Sequence, residues 1–464
     1  MTSVQHRSPE TVNWGPESAG TRRPLRSVPS RHYVSLALTI AGLGLGAVVA
    51  VTLTTFSMSG LHAAGGWWLY SGRLSGMIGA YGLLLMTVLI TRLPVLEKSL
   101  GQDHLVRWHR QLAPYTYWLL FVHVITLIVA YAQMQKTGLV AQTINFILHY
   151  PDMLAAFVGF GLLTMAAATS IHQARRRMKY ETWWSVHLYT YLGLALVFFH
   201  EIRTGVVFIG HPLTTAAWEL AWAAVGIIVL AVRVGLPLWR NVRWQLKVAS
   251  VTEVAPKTYA VVVEGRNLRR MAVSGGQFFQ WRFMTKGLWT HSHPYSISAM
   301  PRPPYMRLTV KSLGDQSSAL ATLKSGTRVY AEGPYGAFTH HKSETKQVVM
   351  IAAGIGITPL RSLLEDLPHG VAVTFIMRAN AVEEIAHRDE IREFVAARAG
   401  SYTEVIGLPN EVPFDGAVLT SLAPAITSSD VFMCGPDGFM NYVQGVLTAL
   451  NVPASQIHYE RFTF

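Results

Sequence analysis

Four histidines stand at matched spacings within two apolar stretches of the sequence. His109 and His123 are fourteen residues apart, and His187 and His200 are thirteen apart. Fourteen helical residues rise about 21 Å, so each stretch places one imidazole near each face of a bilayer. If the two helices run parallel, His109 faces His187 and His123 faces His200. Such imidazole pairs supply both axial ligands of a six-coordinate haem iron, and the pattern predicts two b-type haems.

The alternative for these histidines is a packing or proton-relay role, which is the commoner one for a single histidine in a membrane helix. Four histidines in register favour metal ligation. The helical phase adds a constraint, because at about 100° per residue His200 lies about 140° away from His187. We expect the second helix to be overwound near Gly193, or its two imidazoles to approach from different sides.

The composition predicts a membrane protein. Half of the 464 residues are hydrophobic and only 14% are charged, and 39 Lys and Arg against 26 Asp and Glu leave a net charge of +13. Six apolar stretches are each long enough to span a bilayer about 30 Å thick. They lie near residues 34–56, 68–91, 109–133, 152–172, 182–202 and 213–238.

The positive residues cluster between these stretches, which is typical of membrane orientation and argues against nucleic-acid binding. Fifteen Lys and Arg fall on one side, against Arg73, Lys136 and Arg203 on the other. This asymmetry predicts a multi-pass plasma-membrane protein with both termini in the cytoplasm. Residues 1–33 lack periodicity and predict a disordered cytoplasmic tail. A single cysteine, Cys434, excludes internal disulfides and any iron-sulfur cluster held by the chain's own thiolates.

After residue 240 the pattern changes to short β-rich runs at 244–252, 257–264, 277–283, 305–312 and 327–332, which predict a small antiparallel β-barrel. Two motifs accompany these runs: H-P-Y-S, which is His293, Pro294, Tyr295 and Ser296, and G-D-Q-S, from Gly314 to Ser317. Tyr295 offers an aromatic plane for a flavin, and Ser296 and the backbone near Gly314 offer donors for a diphosphate. Alone, the first motif is equally typical of a turn leading into a strand.

From residue 347 strands alternate with helices, with strands predicted at 348–353, 371–377, 403–407 and 430–434. The first strand runs into G-I-G-I-T-P, which contains Gly354, Gly356, Thr358 and Pro359 and is typical of a phosphate-binding turn at a helix N-terminus. The last ends in Cys434, Gly435 and Pro436, at the edge of a parallel sheet where ligands of α/β folds bind. The alternative for Cys434 is a small buried hydrophobe.

The ordered set of motifs, with G-P-Y-G (Gly333–Gly336) and the C-terminal E-R-F-T-F, resembles the plant-type ferredoxin-NADP reductase family over residues 240–464. Together with the four histidines, the chain resembles the ferric reductase and NADPH oxidase superfamily. The resemblance implies a six-helix haem-binding transmembrane domain (34–240), an antiparallel β-barrel FAD domain (241–343) and an α/β NAD(P)-binding domain (344–464).

The resemblance also implies roles for individual residues. His109 with His187 would hold the inner haem, and His123 with His200 the outer one. The H-P-Y-S and G-D-Q-S motifs would contact FAD, the G-I-G-I-T-P motif the nicotinamide cofactor, and Cys434 and Glu460 would lie where the two meet. Phe464 matches the terminal aromatic residue that covers the flavin ring. His293 stands where soluble relatives usually carry arginine.

The implied function is electron transfer from NAD(P)H through FAD and two haems to an external acceptor, with oxygen reduced to superoxide as the preferred outcome. Arg73, near the outer end of the second helix, would stabilise the developing anion, although a charge flanking a helix end is an equal alternative. The other possible acceptors are a ferric chelate, a quinone and a partner redox protein. Self-association of the chain is also left open. Arg378 or Arg388 would pair with a 2′-phosphate, which favours NADPH over NADH.

Overall fold

The computed structural model describes residue 9 and residues 12–16, 31–178, 180–408 and 411–461. The chain divides into two compact units. The first, called the membrane unit below, is Ser30–Val234, and the second, called the C-terminal unit, is Gly235–Phe464 together with Met1–Pro29.

The described residues of the membrane unit form helices joined by short loops, without β-strands. Its helices are α1 (Arg31–Thr54), α2 (Met58–His62), α3 (Gly66–Ile90), α4 (Pro94–Leu100), α5 (Gln102–Gln135), α6 (Leu139–His149), α7 (Met153–Ser170), α8 (His172–Arg177), α9 (Tyr180–Thr204) and α10 (Pro212–Leu230).

Within the part of the chain that the structure describes, five helices are long and apolar enough to cross a membrane, which makes the chain a multi-pass membrane protein. The spans are Val34–Thr54, Gly66–Ile90, His104–Gln135, Met153–Ser170 and Pro212–Trp244. The sixth predicted span coincides with α9, a helix of 25 residues. Its length suffices, at about 1.5 Å per residue, but its two histidines, Glu201 and Arg203 make it more polar than the five spans. Helix α9 is α-helical from end to end, so the overwinding considered near Gly193 is not present.

Small residues bring the helices of the membrane unit close together. Along α3, a β-carbon at Gly79 would lie 2.8 Å from Leu120 on α5, and one at Gly82 would lie 2.7 Å from the hydroxyl of Thr116. Between α7 and α9, a β-carbon at Gly159 would lie 2.9 Å from the carbonyl oxygen of Gly193. Such close approach gives van der Waals packing that apolar lipid cannot replace.

The C-terminal unit has helices and strands that we divide into an antiparallel half (residues 241–343) and a parallel half (residues 344–464). The strands are β1 (Lys247–Ala255), β2 (Thr258–Glu264), β3 (Phe278–Phe283), β4 (His293–Ser296), β5 (Tyr305–Lys311), β6 (Val329–Tyr335), β7 (Gln347–Ala353), β8 (Ala372–Ala379), β9 (Ser401–Ile406), β10 (Asp430–Cys434) and β11 (Ile457–Glu460). The helices are α11 (Leu236–Trp244), α12 (Asp315–Ala319), α13 (Ile357–Asp366), α14 (Arg388–Ala396), α15 (Gly416–Leu422) and α16 (Asp437–Ala449).

The described residues of the antiparallel half form two three-stranded sheets, ordered β1-β2-β5 and β4-β3-β6, and their closure into the predicted barrel stays a prediction. Isolated bridges join them, including Ile297 with Leu308. Both sheets turn alternate side chains into one core, where Trp281, Phe283 and Met306 are fully buried. Helix α11 attaches to this half, because the side-chain amide of Asn241 pairs with the backbone of Ala331 through two hydrogen bonds (2.9 and 3.2 Å).

The parallel half is a five-stranded parallel sheet ordered β11-β10-β7-β8-β9 with helices on both faces. Alternate residues of β7 face opposite layers, so Met350 packs with α13 and α14, whereas Ile351 packs with α15 and α16. A strand buried on both faces explains why its sequence is uniformly apolar.

The two halves meet along a seam formed by α13 and α14 of the parallel half. The backbone N–H groups of Gly275 and Gly276 donate to Asp366 Oδ2 (2.8 Å) and Ser362 Oγ (2.9 Å). A β-carbon at Gly275 would overlap the backbone of Ser362, so glycine is needed for this close approach. The seam therefore fixes the antiparallel half against the first helix after β7.

Candidate functional site

The structure brings together the histidine pairs predicted across α5 and α9. The rings of His109 and His187 have centroids 6.4 Å apart and are inclined by 74°. At the other end of the same helices, His200 and His123 interact electrostatically. Helix α9 is α-helical over its whole length, and the approach of its two imidazoles to α5 from different sides stays a prediction.

Three of these four rings have one nitrogen held by the protein. Nδ1 of His109 lies 3.1 Å from the carbonyl oxygen of Met86, and Nδ1 of His123 lies 2.8 Å from that of Gly72. A carbonyl can only accept, so each Nδ1 carries the proton and each Nε2 keeps its lone pair. This is the usual state of a metal-binding histidine, whose other nitrogen donates to the protein.

The two histidines of α9 differ in how their Nδ1 atoms are held. The hydroxyl of Thr204 donates to the carbonyl oxygen of His200 (2.7 Å), so its oxygen accepts from Nδ1 of His200 (2.9 Å). The buried Nδ1 of His187 has no hydrogen-bond partner in the described part of the chain. Its ring instead stacks on Trp183, with centroids 5.1 Å apart and an interplanar angle of 22°.

Helix α3 makes room for these rings. A β-carbon at Gly76 would overlap the ring of His123, and one at Gly72 would lie 2.6 Å from the hydroxyl of Thr126. Met86, Gly72, Gly76 and Thr204 were not identified from the sequence, because none is a ligand type. The only sequence signal was the run of glycines along α3.

Other predicted features of the membrane unit lie outside these pairs. The guanidinium of Arg73 on α3 lies 5.5 Å from the ring centroid of Tyr70, and its role as an anion-stabilising group stays a prediction. Within the described ranges, no group of three or more His, Cys, Asp or Glu side chains could hold a metal ion. The paired histidines thus remain the metal-binding candidates of this unit.

In the antiparallel half, H-P-Y-S forms the edge strand β4, where Tyr295 pairs with Phe279 and Ser296 with Phe278. The indole N–H of Trp281 donates to the carbonyl oxygen of Tyr295 (2.9 Å). The rings of His293 and Tyr295 are near-parallel, with centroids 6.0 Å apart. Burial raises the pKa of Tyr295 to about 12, so its hydroxyl stays protonated and neutral at physiological pH.

The G-D-Q-S motif begins the short helix α12. The hydroxyl of Ser317 accepts from the backbone N–H groups of Leu313 (2.9 Å) and Gly314 (3.0 Å). Gly314 itself is exposed. The motif thus forms a self-capped turn, and its contact with a diphosphate stays a prediction.

In the parallel half, the predicted nucleotide residues gather at the carboxyl edge of the sheet. A β-carbon at Gly356 would overlap the backbone of Cys434 and Gly435, so the G-I-G-I-T-P turn lies directly against the end of β10. The thiol of Cys434 donates to the carbonyl oxygen of Glu460 (3.4 Å), and the two residues pair across β10 and β11. Burial, reinforced by the carboxylate of Glu460, raises the pKa of the Cys434 thiol well above its usual value.

The two arginines considered for a 2′-phosphate are both engaged by the protein. Arg378 is buried, and its guanidinium donates to the carbonyl oxygens of four residues, Ala379, Val405, Gly407 and Val412. Arg388 forms two 2.7 Å hydrogen bonds with Glu404. Either would have to exchange these bonds for a phosphate. Phe464, the predicted flavin cover, lies outside the described residues.

Residues 75–198 match the family described as ferric reductase like transmembrane component. This range includes three of the four predicted haem ligands, all but His200. The chain is also 31% identical over 189 residues to the flavohemoprotein of Bacillus subtilis strain 168, a match covering 38% of this chain and 47% of that protein. Residues 75–198 are therefore similar to a ferric reductase-like transmembrane component.

This confirms the resemblance predicted from the sequence, in which a ferric reductase-like transmembrane domain is joined to a reductase module. The chain is 27% identical to the flavohemoprotein of Vibrio cholerae over 252 residues, covering 51% of this chain and 63% of that one. Among solved structures, it is similar to the Amycolatopsis cytochrome P450 reductase GcoB, with 19% identity, a TM-score of 0.41 and coverage of 48% and 70% of the two chains. The chain spans about half the length of the curated relatives it matches.

Proposed function

We propose that the chain is a transmembrane oxidoreductase that takes reducing equivalents from a nicotinamide cofactor and delivers them to an acceptor across the membrane. The observation that carries this proposal is the arrangement of the four histidines. They lie in two cross-helix pairs, and three of them already have Nδ1 bonded to Met86, Gly72 or Thr204. Rings oriented in this way suit metal ligation through Nε2.

The residues present fit two b-type haems. His109 with His187 would hold one haem, and His123 with His200 the other; when bound, the two haems supply one-electron redox chemistry at two depths of the bilayer. The protein sets the tautomer of the rings through the backbone of α3 and the hydroxyl of Thr204. Gly76 keeps the space beside His123 open.

The C-terminal unit fits FAD and NADPH or NADH. In support, matched relatives include flavohemoproteins and the ferredoxin reductase component of a Mycobacterium tuberculosis 3-ketosteroid-9-alpha-monooxygenase. Tyr295 and Ser296 on β4 would bind the flavin, which supplies the conversion between two-electron and one-electron transfer. Gly354 and Gly356 would bind the nicotinamide cofactor beside Cys434.

The orientation in the membrane that we propose is based on the distribution of Lys and Arg between the loops. Lys and Arg predominate in the loops on one side of the proposed six spans, which supports a plasma-membrane protein with both termini and the C-terminal unit in the cytoplasm. NAD(P)H would then be oxidised inside, and the acceptor reduced outside. We propose oxygen, giving superoxide, as that acceptor, with Arg73 stabilising the anion; an extracellular ferric chelate is the second candidate.

The histidine pairs give a sharp test. The four single alanine variants at these histidines are purified in detergent, and haem content and reduced-minus-oxidised spectra are measured. We expect two haems per chain in the wild type, loss of one and the same spectral component in H109A and H187A, and loss of the other in H123A and H200A. The exposed His211 supplies the control, because H211A leaves both components intact. Two haems retained in all four variants would contradict the proposal.

The acceptor is tested separately with the wild-type protein in sealed vesicles of known orientation. NADPH is supplied on the cytoplasmic side, and superoxide and reduction of an impermeant ferric chelate are measured on the other. Superoxide formation that falls in R73A, with haem content unchanged, supports oxygen as the acceptor. Rapid chelate reduction without superoxide assigns the protein as a ferric reductase.

A further inference from the structure

A short N-terminal segment, Val12–Pro16, packs against the C-terminal unit although it lies within the stretch predicted to be a disordered tail. Within it, Gly15 is buried and Trp14 is partly buried. Its residues form no helix or strand. Its placement therefore has to come from specific contacts.

Three successive carbonyl groups of this segment are bound by arginine side chains. Arg302 donates to the carbonyl oxygens of Asn13 and Gly15, the latter at 2.5 Å. Arg361 donates to the carbonyl oxygen of Trp14. Hydrogen bonds from a charged donor are stronger than neutral ones, and three in a row hold this stretch of backbone in place.

The side chains of the segment add selectivity. The indole ring of Trp14 lies under two guanidinium groups, with Arg307 at 4.8 Å and Arg302 at 5.9 Å from its centroid, within the range of a cation–π interaction. A β-carbon at Gly15 would lie 2.7 Å from Oε2 of Glu393. The surface therefore favours tryptophan at position 14, and the neighbouring carboxylate of Glu393 leaves little room at position 15.

The three arginines belong to both halves of the C-terminal unit. Arg302 and Arg307 lie in the antiparallel half, whereas Arg361 lies on α13 of the parallel half. All three are already linked across the seam through Glu365 and Glu390. A segment that binds these arginines together is bonded to both halves at once.

In the described part of the chain, the segment Val12–Pro16 does not contact the predicted nucleotide-binding residues. The predicted nucleotide residues Gly354, Gly356 and Cys434 lie at the carboxyl edge of the sheet, and none of the described contacts of Val12–Pro16 involves them. Holding the seam closed is thus the role that these contacts favour.

We propose that the arginine groove formed by Arg302, Arg307 and Arg361 is a peptide-binding site, and that its occupant is the chain's own Trp-Gly segment, which acts as a staple across the seam. When the segment leaves, the two halves lose one set of shared contacts and the seam opens more often. The proposal does not depend on haem or on the identity of the acceptor.

Hydrogen–deuterium exchange of the full-length protein tests the staple. In W14A, we expect amides of α13 and of residues 298–307 to exchange about tenfold faster than in the wild type. The matched control is W289A, which removes an exposed tryptophan of the antiparallel half and should leave exchange at the seam unchanged. A synthetic peptide of residues 9–17 added to W14A should restore protection, whereas the same peptide with alanine in place of tryptophan should not.

Two results would overturn the staple. Wild-type exchange rates at the seam in W14A would mean that the segment does not hold the halves together. Unchanged exchange with a several-fold fall in the KM for NADPH would mean that the segment covers the nucleotide site instead. Because exchange is read without any electron acceptor, failure of the proposed oxidoreductase activity leaves this test intact.

Discussion

Replacing Glu390 with glutamine removes the central anion of the seam. Its carboxylate accepts two 2.7 Å hydrogen bonds from Arg307 and one 2.8 Å bond from Arg361. Both arginine side chains are almost completely buried, with 4% and 0% exposure. Burial by itself raises the pKa of Glu390, but hydrogen bonds from Arg307 and His387 outweigh burial and hold this pKa far below its usual range.

The magnitude follows from what the change leaves behind. E390Q keeps the size of the side chain but leaves two buried guanidinium groups with less compensating charge. Removing one partner of a buried ion pair costs about 3–5 kcal/mol, and we take about 3 kcal/mol because the carboxylate itself retains 23% exposure. For a unit of this size, that lowers the unfolding midpoint by about 6–12 °C.

Thermal unfolding of the full-length protein in detergent, followed by tryptophan fluorescence, measures the effect. The matched control is E404Q. Glu404 also accepts two 2.7 Å hydrogen bonds from Arg388 and pairs with Arg392, but these arginines are 31% and 45% exposed and stay hydrated. We expect a cost below about 1 kcal/mol there. Equal shifts in the two variants, or no shift in E390Q, would refute the role given to buried charge.

Three further outcomes are expected. Burial and the nearby Arg307 lower the pKa of His387 to about 4, so protonation favours the unfolded chain below about pH 6.5. The free energy of unfolding should therefore be about 2 kcal/mol smaller at pH 5 than at pH 7.5. H387Q should remove this dependence on pH. Because burial raises the pKa of Cys434, iodoacetamide at pH 8 should modify the native thiol about 100-fold more slowly than the urea-unfolded one. In G76A, the new β-carbon displaces the ring of His123, and difference spectra should lose one haem component, whereas G161A, which meets open space, should keep both.

Much of the fold could be predicted from hydrophobic patterning. The four predicted strands of the parallel half coincide with β7, β8, β9 and β10. For β7, β8 and β10 the reason is a largely apolar run that is buried on both faces of the sheet. The two strands that were missed, β4 and β11, are four residues long and lie at sheet edges. Pro294 inside β4 is tolerated only because an edge strand needs fewer N–H donors, so local sequence argued against a strand there.

The seam and the staple could not be predicted in the same way. Arg307 and Glu390 are 83 residues apart in sequence, and Arg361 and Trp14 are 347 apart. Nothing in the local sequence of a buried arginine distinguishes it from a solvated one. These contacts become visible only when the fold places the antiparallel half, the parallel half and the N-terminal segment together.

The histidine pairs depend on a helix that carries none of the predicted ligands. Helix α3 supplies the carbonyl groups of Gly72 and Met86, which are fourteen residues apart, the same spacing as His123 and His109 on α5. Two antiparallel helices hold these four positions in one register, so α3 fixes the depth and the tautomer of both rings at once. The histidines can be identified from the sequence because imidazole is a common metal ligand. The role of α3 cannot, because its contribution is made by backbone carbonyl groups, which occur at every residue. The positions on α3 that matter are those where glycine leaves room for α5. A side chain at Gly76 would therefore disturb the pair of His123 and His200 as directly as a change in His123 itself.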